Sequence, residues 1–229
     1  MEPQSIDLRS LQKKLAVRFF LLLLFFSLFL LLPAGTFYFW QLYVYLAVLM
    51  GPLIFVVRYF LKNDPEFLVH RMTMKEKERE QKKIISLSAI AYLIGFLLPG
   101  LDRRFGWSDI PTAIVLAADL LVMASYIFIV YVFKQNRYAS RVIEVQKDQK
   151  VISTGPYSIV RHPMYSGMFI MFFSTPIALG SYWAVIPFAL MPVTIFFRIL
   201  NEEKVLSEQL PGYKEYCEKV RYRLIPYIW

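Results

Sequence analysis

The chain has very little of what disulfide frameworks, metal centres and dinucleotide sites are built from. Its one cysteine, Cys217, excludes a disulfide within these 229 residues and a multi-cysteine metal site. Its two histidines, His70 and His162, lie too far apart in sequence for the usual spacing of zinc ligands. No G-x-G-x-x-G run and no internal repeat occur. We therefore predict no metal site.

Hydrophobic residues, in contrast, are abundant. They make up 57% of the chain, and the mean hydropathy is +0.46, whereas soluble domains are about 45–50% apolar. The excess lies in blocks, and a membrane-crossing helix needs roughly 17–25 apolar residues. The predicted fold class is all-α, a polytopic integral membrane protein with about six transmembrane helices at 15–32, 37–57, 84–101, 112–133, 164–179 and 182–200.

Only Gly180 and Ser181 separate the last two predicted helices, which predicts a tight helical hairpin. The residues after position 200 are predicted to form a helical cap over this hairpin on the cytoplasmic side. The chain then divides into an N-terminal transmembrane region of four helices, 1–133, and a second region, 134–229. The second region comprises a cytoplasmic loop, the hairpin and the cap.

The positive charge is distributed very unevenly between the two predicted membrane faces. Of the 26 lysines and arginines, only Arg103 and Arg104 fall on one face, and the remaining 24 fall on the other. Because cytoplasmic loops are enriched in these residues, both termini are predicted to be cytoplasmic. The membrane would be the plasma membrane in a prokaryote and the endoplasmic reticulum in a eukaryote. The net charge of +9 indicates basic loops that face anionic membrane lipid. No nucleic-acid partner is predicted.

One polar stretch at the membrane boundary, GPYSIVRHPMYSG (155–167), has an unusual composition. Pro156 and Pro163 should push the residues before them, Gly155 and His162, toward extended conformations. Pro163 also suits the first turn of a helix, which leaves free N–H groups nearby for an anion. The stretch therefore predicts a sharp corner, with or without a ligand.

A second polar group lies at the end of the last predicted helix. Arg198 and Glu202 are four residues apart and share a helix face, and Glu203 follows directly. By itself this pattern is also typical of an arginine that reaches out of the membrane to pair with a glutamate. Because the hairpin returns to the same membrane face, the Arg161-His162 corner and this helix end are predicted to lie close together.

Asp119 is the one clear acid inside a predicted transmembrane helix. Such residues are functional suspects, because a charge within the bilayer is costly. It could carry a proton or contact a ligand, or it could bond a serine or tyrosine on a neighbouring helix. Both interpretations stay open.

Taken in order, these motifs resemble the isoprenylcysteine carboxyl methyltransferase family, within the wider group of membrane methyltransferases that includes phospholipid N-methyltransferases. The resemblance rests on GPYSIVRHPMYSG, then FFRILNEE (196–203), then LPGYKEYCEKVRYRLIP (210–226). The family has a G-P-Y…R-H-P-x-Y-x-G run, an arginine one turn before a Glu-Glu pair, and a final segment with two tyrosines, which Tyr213 and Tyr216 match here. The resemblance covers residues 151–226, and no motif could be matched in the first four helices.

The resemblance implies that S-adenosyl-L-methionine binds between the corner and the Glu-Glu helix, on the cytoplasmic side. The lipophilic or prenylated substrate would enter from the bilayer, and 134–229 would be the catalytic methyltransferase region. Arg198 and Glu202 would be the catalytic residues, with Arg198 facing the acceptor. The implied cofactor-binding residues are Gly155, Pro156, Tyr157, Val160, Arg161, His162, Pro163, Tyr165, Glu202 and Glu203.

The acceptor implied first is the carboxylate of an isoprenylcysteine-like substrate, for which no general base is needed. If the acceptor is an amine, as in a phospholipid N-methyltransferase, Glu202 becomes a candidate base. Two other classes stay open, namely an NADPH-dependent membrane reductase of the sterol type and a non-catalytic membrane scaffold or transporter.

Overall fold

The structure is a computed structural model that describes residues 7–73, 79–136, 138, 145–146 and 148–229. The regular structure in these ranges is helical throughout, which confirms the all-α prediction. The α-helices are α1 (Leu8–Phe26), α2 (Leu32–Ala34), α3 (Trp40–Asn63), α4 (Pro65–Thr73), α5 (Arg79–Phe105), α6 (Thr112–Gln135), α7 (Pro163–Ala178), α8 (Val185–Phe188), α9 (Met191–Gln209) and α10 (Tyr213–Lys219). A π-helical stretch, Ser27–Leu31, joins α1 to α2, and a 3₁₀ turn spans Gly155–Ser158.

Four helical stretches in the described part of the chain are long and apolar enough to cross a membrane: Leu8–Ala34, Trp40–Asn63, Thr112–Gln135 and Val185–Gln209. The protein is therefore a polytopic integral membrane protein. The predicted segments 84–101 and 164–179 are also helical, the first within α5 and the second within α7 except for Leu179, which follows its last residue. α7 has only 16 residues, which is short for a full crossing. The crossings by these two segments stay predictions.

The first helix begins at Leu8, well before the predicted start at residue 15. The Asp7 side chain caps it by accepting hydrogen bonds from the backbone N–H groups of Arg9 and Ser10. The polar turns at its start also bury Leu11. Hydropathy does not predict these turns, because the helix start is set by the Asp7 cap and by the packing of Leu11 rather than by an apolar run.

The core of the bundle is rich in aromatic rings and admits close helix approach at glycines. Phe96 on α5 packs edge-to-face against Phe26 and Phe188, with ring centroids 5.4 and 5.3 Å away. A Cβ added to Gly95 would lie 2.8 Å from the Phe188 ring, and one on Gly100 would lie 2.6 Å from the Leu30 backbone oxygen in the π-helical stretch that follows α1. Such contacts are typical of small residues at membrane helix interfaces. They fix α5 against the first helix and α8.

The predicted hairpin differs from the structure in its second helix and in its main packing partner. The segment 182–200 is not one helix, because α8 ends at Phe188 and α9 begins at Met191 and runs on to Gln209. Pro187 and Pro192 have no N–H to donate, and prolines at these positions interrupt regular helical bonding. α7 packs most extensively against α6 rather than α9. A Cβ on Gly167 would lie 2.7 Å from Ile129 of α6, so this contact also crosses the predicted division at 133/134, which stays a prediction.

At the end of the bundle where α5 and α7 terminate, a buried carboxylate ties two connections together. Asp102 Oδ1 accepts from the Ser108 backbone N–H at 2.7 Å, and Oδ2 accepts from the Ser108 and Ser181 hydroxyls at 2.7 and 2.5 Å. We call these three residues the Asp102 cluster. Exposed aromatic rings surround this end, as is usual at a membrane–water interface, among them Phe37, Tyr38, Phe105, Trp107, Tyr182 and Trp183.

Candidate functional site

The polar stretch 155–167 forms a corner at the opposite end of α7. Gly155 begins the 3₁₀ turn with φ +58°, so the prediction that it is extended is wrong. This left-handed conformation favours glycine, and the Tyr131 hydroxyl lies 3.4 Å from where a Cβ would stand. His162 precedes α7 with φ −125° and ψ 60°, and Pro163 is the first helical residue, as predicted.

The corner is held in place by residues 222–229, here called the closing segment. The backbone N–H groups of Arg161 and His162 donate to the carbonyl oxygens of Tyr222 and Arg223, each at 2.9 Å. The Ser166 hydroxyl donates to the Leu224 carbonyl at 2.6 Å. A distant part of the chain therefore sets the orientation of the Arg161-His162 pair.

Glu203 of α9 lies beneath this corner and binds three basic side chains. Its Oε1 lies 3.2 Å from His162 Nε2 and 2.9 Å from Arg161 Nε, and its Oε2 accepts from Arg223 Nε at 2.7 Å. Since a carboxylate can only accept, His162 donates through Nε2. The predicted approach of the corner to the Glu-Glu helix is thus present in the structure.

Glu202 points in a different direction, and its contact runs toward Arg198. The Tyr165 hydroxyl donates to Glu202 Oε2 at 2.8 Å and accepts from Arg198 Nε at 2.8 Å. Tyr165 is buried with 4% exposure, so this row of three side chains is held by packing on both α7 and α9. One tyrosine therefore fixes the positions of both residues that the sequence predicted to be catalytic.

An open cleft lies between the corner, α9, α10 and the stretch that follows α6. Five of the predicted site residues line it: Tyr157, Arg161, His162, Tyr165 and Glu202. The other residues that line it are Asn136, Tyr138, Gln149, Lys150, Val151, Ile152, Met164, Leu206, Leu210, Tyr213 and Tyr216. The cleft is thus bordered by tyrosines, by both signs of charge and by apolar side chains.

Two comparisons with known proteins bear on this site. Residues 113–211 match the model of the phospholipid methyltransferase family. A protein-S-isoprenylcysteine O-methyltransferase B from Arabidopsis thaliana is 26% identical over 138 residues, which cover 58% of this chain and 66% of that relative, just under two thirds of its length. The resemblance seen in the motifs is confirmed. The chain is similar to membrane methyltransferases of the isoprenylcysteine and phospholipid type.

A membrane methyltransferase requires a methyl donor, and the cleft has unused hydrogen-bond donors where a ligand could bind. Arg161 Nε is buried, and although it is close to Glu203, it has no hydrogen bond of good geometry within the described part of the chain. The buried Tyr213 hydroxyl likewise has no partner among the described residues. Buried donors without partners are costly, so the pair fits a ligand that carries an anionic oxygen.

Two phenols of the cleft, Tyr157 and Tyr213, are held in the neutral form. Burial raises the pKa of Tyr157 to about 12. Burial, together with the nearby Glu203 carboxylate, also raises the pKa of Tyr213. Both hydroxyls therefore remain protonated near neutral pH and act as hydrogen-bond donors, not as bases.

The remaining predicted site residues build the cleft without lining it. Gly155, Pro156, Val160 and Pro163 form the corner, where Pro156 and Val160 are buried. Glu203 supports the corner from behind, and Arg198 reaches the cleft through Tyr165. Direct contact of these residues with a ligand stays a prediction.

Sequence reasoning missed one whole side of the cleft. The stretch 136–152 carries no motif, and its only signal is a polar composition between two apolar blocks on the predicted cytoplasmic face. Tyr213 and Tyr216 match the final segment of the family pattern, but the resemblance assigns them no role. Tyr216 donates its hydroxyl to the Tyr157 carbonyl at 2.7 Å, and thereby joins α10 to the corner.

Proposed function

We propose that this chain transfers a methyl group from S-adenosyl-L-methionine to a lipophilic acceptor at the edge of a membrane. The acceptor we propose first is the carboxylate of an isoprenylcysteine-like group. The observation that supports this best is the meeting of the Arg161-His162 corner with Glu202 around one cleft. The name of the plant relative points to the same acceptor.

The residues of the cleft suit the polar groups of this cofactor. Arg161 and Tyr213 offer buried donors to its carboxylate, and Glu202 offers acceptors to its amino group or ribose hydroxyls. When bound, the cofactor would supply a methyl group on a positively charged sulfur. The task of the chain is then mainly to position the two reactants and to keep water out.

Arg198 is proposed to orient the acceptor. Its Nε donates to the Tyr165 hydroxyl at 2.8 Å, which fixes the side chain, and a planar guanidinium group matches the geometry of a carboxylate. A carboxylate acceptor loses no proton, so no residue has to act as a base. Tyr165 would hold Arg198 at a fixed position relative to Glu202.

An amine acceptor is a second candidate, because the matching family model is that of phospholipid methyltransferases. An amine must be neutral to react, and Glu202 lines the cleft as a carboxylate that could accept a proton. Turnover assays with a farnesylcysteine and with a phosphatidylethanolamine would separate the two acceptors.

Calorimetric titration of the detergent-purified protein with S-adenosylhomocysteine and with NADPH tests the proposed class. We expect S-adenosylhomocysteine to bind and NADPH not to bind. Binding of NADPH alone would support a membrane reductase, and binding of neither would support a scaffold or transporter.

Two variants test the proposed roles within the cleft. Glu202→Gln should weaken S-adenosylhomocysteine binding strongly, because a charged acceptor is lost. Arg198→Ala should reduce turnover more than cofactor affinity. If Arg198→Ala lowers turnover and cofactor affinity equally, Arg198 contacts the cofactor rather than the acceptor.

We also propose that both termini and the cleft face the cytoplasm. Arg103 and Arg104 lie at the aromatic end of the bundle, whereas Lys134, in the last turn of α6, and Arg161, at the corner before α7, lie at the other end. Cysteines introduced at Lys219 and Asp109, each in a Cys217→Ser background, offer a direct test with a membrane-impermeant maleimide. In sealed, right-side-out vesicles only the cysteine at position 109 should react.

A further inference from the structure

Among the described residues, Arg223 is the one cation on Glu203 that comes from outside the family-matched residues 113–211. It donates from Nε to Glu203 Oε2 at 2.7 Å, while Arg161 and His162 both approach Oε1. The two oxygens of Glu203 are therefore divided between the closing segment on one side and the corner on the other.

The position of Arg223 is fixed by its own surroundings. Its guanidinium lies over the Trp229 ring, 5.3 Å from the centroid, and Trp229 stacks on Phe196 of α9 with centroids 4.9 Å apart. The backbone oxygen of Trp229 accepts from the N–H groups of Arg223 and Leu224, each at 2.9 Å. The arginine is thus braced against the same helix that carries Glu203.

We propose that Arg223 is a positioning residue for the methyl-donor site and acts on the cleft through Glu203. The inference rests on the proposed function, because it concerns affinity for an adenosyl ligand. Arg223 occupies Oε2 and so directs Oε1 toward the corner. In that arrangement His162 keeps its proton on Nε2, and the Arg161 side chain is held beside the cleft.

Charge balance explains why a third basic group is needed. Glu203 carries one negative charge, and Arg161 alone could neutralise it in a bidentate hydrogen-bonded ion pair. In the structure Arg161 makes only an ion pair without good hydrogen-bond geometry. Arg223 occupies Oε2 and thereby prevents a bidentate ion pair between Arg161 and Glu203. This leaves the buried Arg161 Nε available to a ligand. Without Arg223, Arg161 should turn onto Glu203 and withdraw from the cleft.

The test is a double-mutant cycle read by calorimetric binding of S-adenosylhomocysteine in detergent. Arg223→Gln should weaken binding at least tenfold, and Arg223→Lys should recover part of the loss, because lysine restores charge without the planar geometry. In a Glu203→Gln background, Arg223→Gln should change affinity less than twofold, because its route to the cleft is already broken. Arg221→Gln, an exposed arginine two residues away, is the matched control and should bind as the wild type does.

Each outcome decides the proposal. An Arg223→Gln variant that binds within twofold of the wild type overturns it. So does a tenfold loss that persists in the Glu203→Gln background, because the effect would then come from the fold of the closing segment. Should Arg223→Gln fail to fold, Arg223→Lys with and without Glu203→Gln gives the same comparison. A wild type that does not bind S-adenosylhomocysteine overturns the proposed function itself, and this inference with it.

Trp229 provides an independent test of the brace. Trp229→Ala should loosen Arg223 and weaken S-adenosylhomocysteine binding severalfold, whereas Trp229→Phe should keep most of the affinity by preserving the stack on Phe196. Equal losses in the two variants would contradict the role given to the aromatic ring.

Discussion

Asp102 and Glu203 are both buried carboxylates, and they lie near opposite ends of α7, yet their donors differ in kind. Asp102 accepts from two serine hydroxyls and a backbone N–H, all neutral. Glu203 is surrounded by two arginines and an imidazole. At Asp102 the neutral donors and the carboxylate satisfy one another. At Glu203 the basic groups exceed the carboxylate in charge, so donor capacity remains for something else.

This comparison separates a carboxylate that fastens loops from one that organises a binding site. It predicts that substitutions at Asp102 lower stability without changing ligand affinity. Substitutions at Glu203 should weaken ligand binding with little effect on stability. The predictions below can break or sharpen this separation.

The largest effect is expected from Asp102→Ala. The substitution leaves the buried Ser181 hydroxyl, the partly buried Ser108 hydroxyl and a backbone N–H without this acceptor, which should lower the free energy of unfolding by about 3 kcal/mol. Thermal unfolding in detergent measures the loss. Below the unfolding transition, S-adenosylhomocysteine should bind within twofold of the wild type. A large loss of affinity in the folded protein would mean that the two ends are coupled.

Glu203→Gln should have the next largest effect, on binding. The amide keeps the shape of the side chain but removes the charge that holds Arg161 and Arg223, so affinity for S-adenosylhomocysteine should fall about 30-fold, or about 2 kcal/mol. Glu208→Gln removes an exposed acid from the same helix and serves as the control. Equal affinities in the two variants would remove Glu203 from the site.

A pair of tyrosine variants gives a smaller and finer comparison. Tyr213→Phe removes a hydroxyl without a partner in the described structure, so it should cost no stability but weaken S-adenosylhomocysteine binding about tenfold, or about 1.4 kcal/mol. Tyr216→Phe removes a bond to the Tyr157 carbonyl and should cost about 1 kcal/mol of stability. If Tyr213→Phe binds normally, its hydroxyl does not face the ligand.

The smallest effect is expected at Asp119, the third buried carboxylate. Neither of its oxygens has a hydrogen-bond partner among the described residues, so Asp119→Asn removes no hydrogen bond of the described structure. The free energy of unfolding should stay the same or rise, and S-adenosylhomocysteine affinity should stay within about twofold. A fall in turnover with affinity intact would assign Asp119 a role that the cleft does not explain.

The central contact of the site could be predicted because it depends on local chemistry and simple topology. Pro163 begins a helix, α7 and α9 return to the same face, and a carboxylate pair at a helix end meets a basic corner. The shared motifs then indicated methyl transfer. Which of Glu202 and Glu203 lines the cleft and which supports the corner could not be predicted. Adjacent helical residues differ in direction by about 100°, and only packing determines which one faces the cleft.

Other features depend on contacts between distant parts of the chain. Arg223 reads in the sequence as one of many basic residues, and only the fold brings it onto Glu203. The interruption at 189–190 also escaped hydropathy, because prolines 187 and 192 are apolar and sit well within a hydrophobic segment. The contact of Asp102 with Ser181 could not be predicted either, since Ser181 is distant in sequence and meets Asp102 only after α5 and α7 pack.

The backbone pairing of the corner with the closing segment has a consequence for the order of assembly. Arg161 and His162 need carbonyl groups that are synthesised roughly 60 residues later, after α7, α8 and α9. On a ribosome the cleft therefore stays incomplete while its helices enter the membrane, and it closes only when the closing segment emerges and folds back. The nascent protein would be inserted first and become able to bind its ligand last.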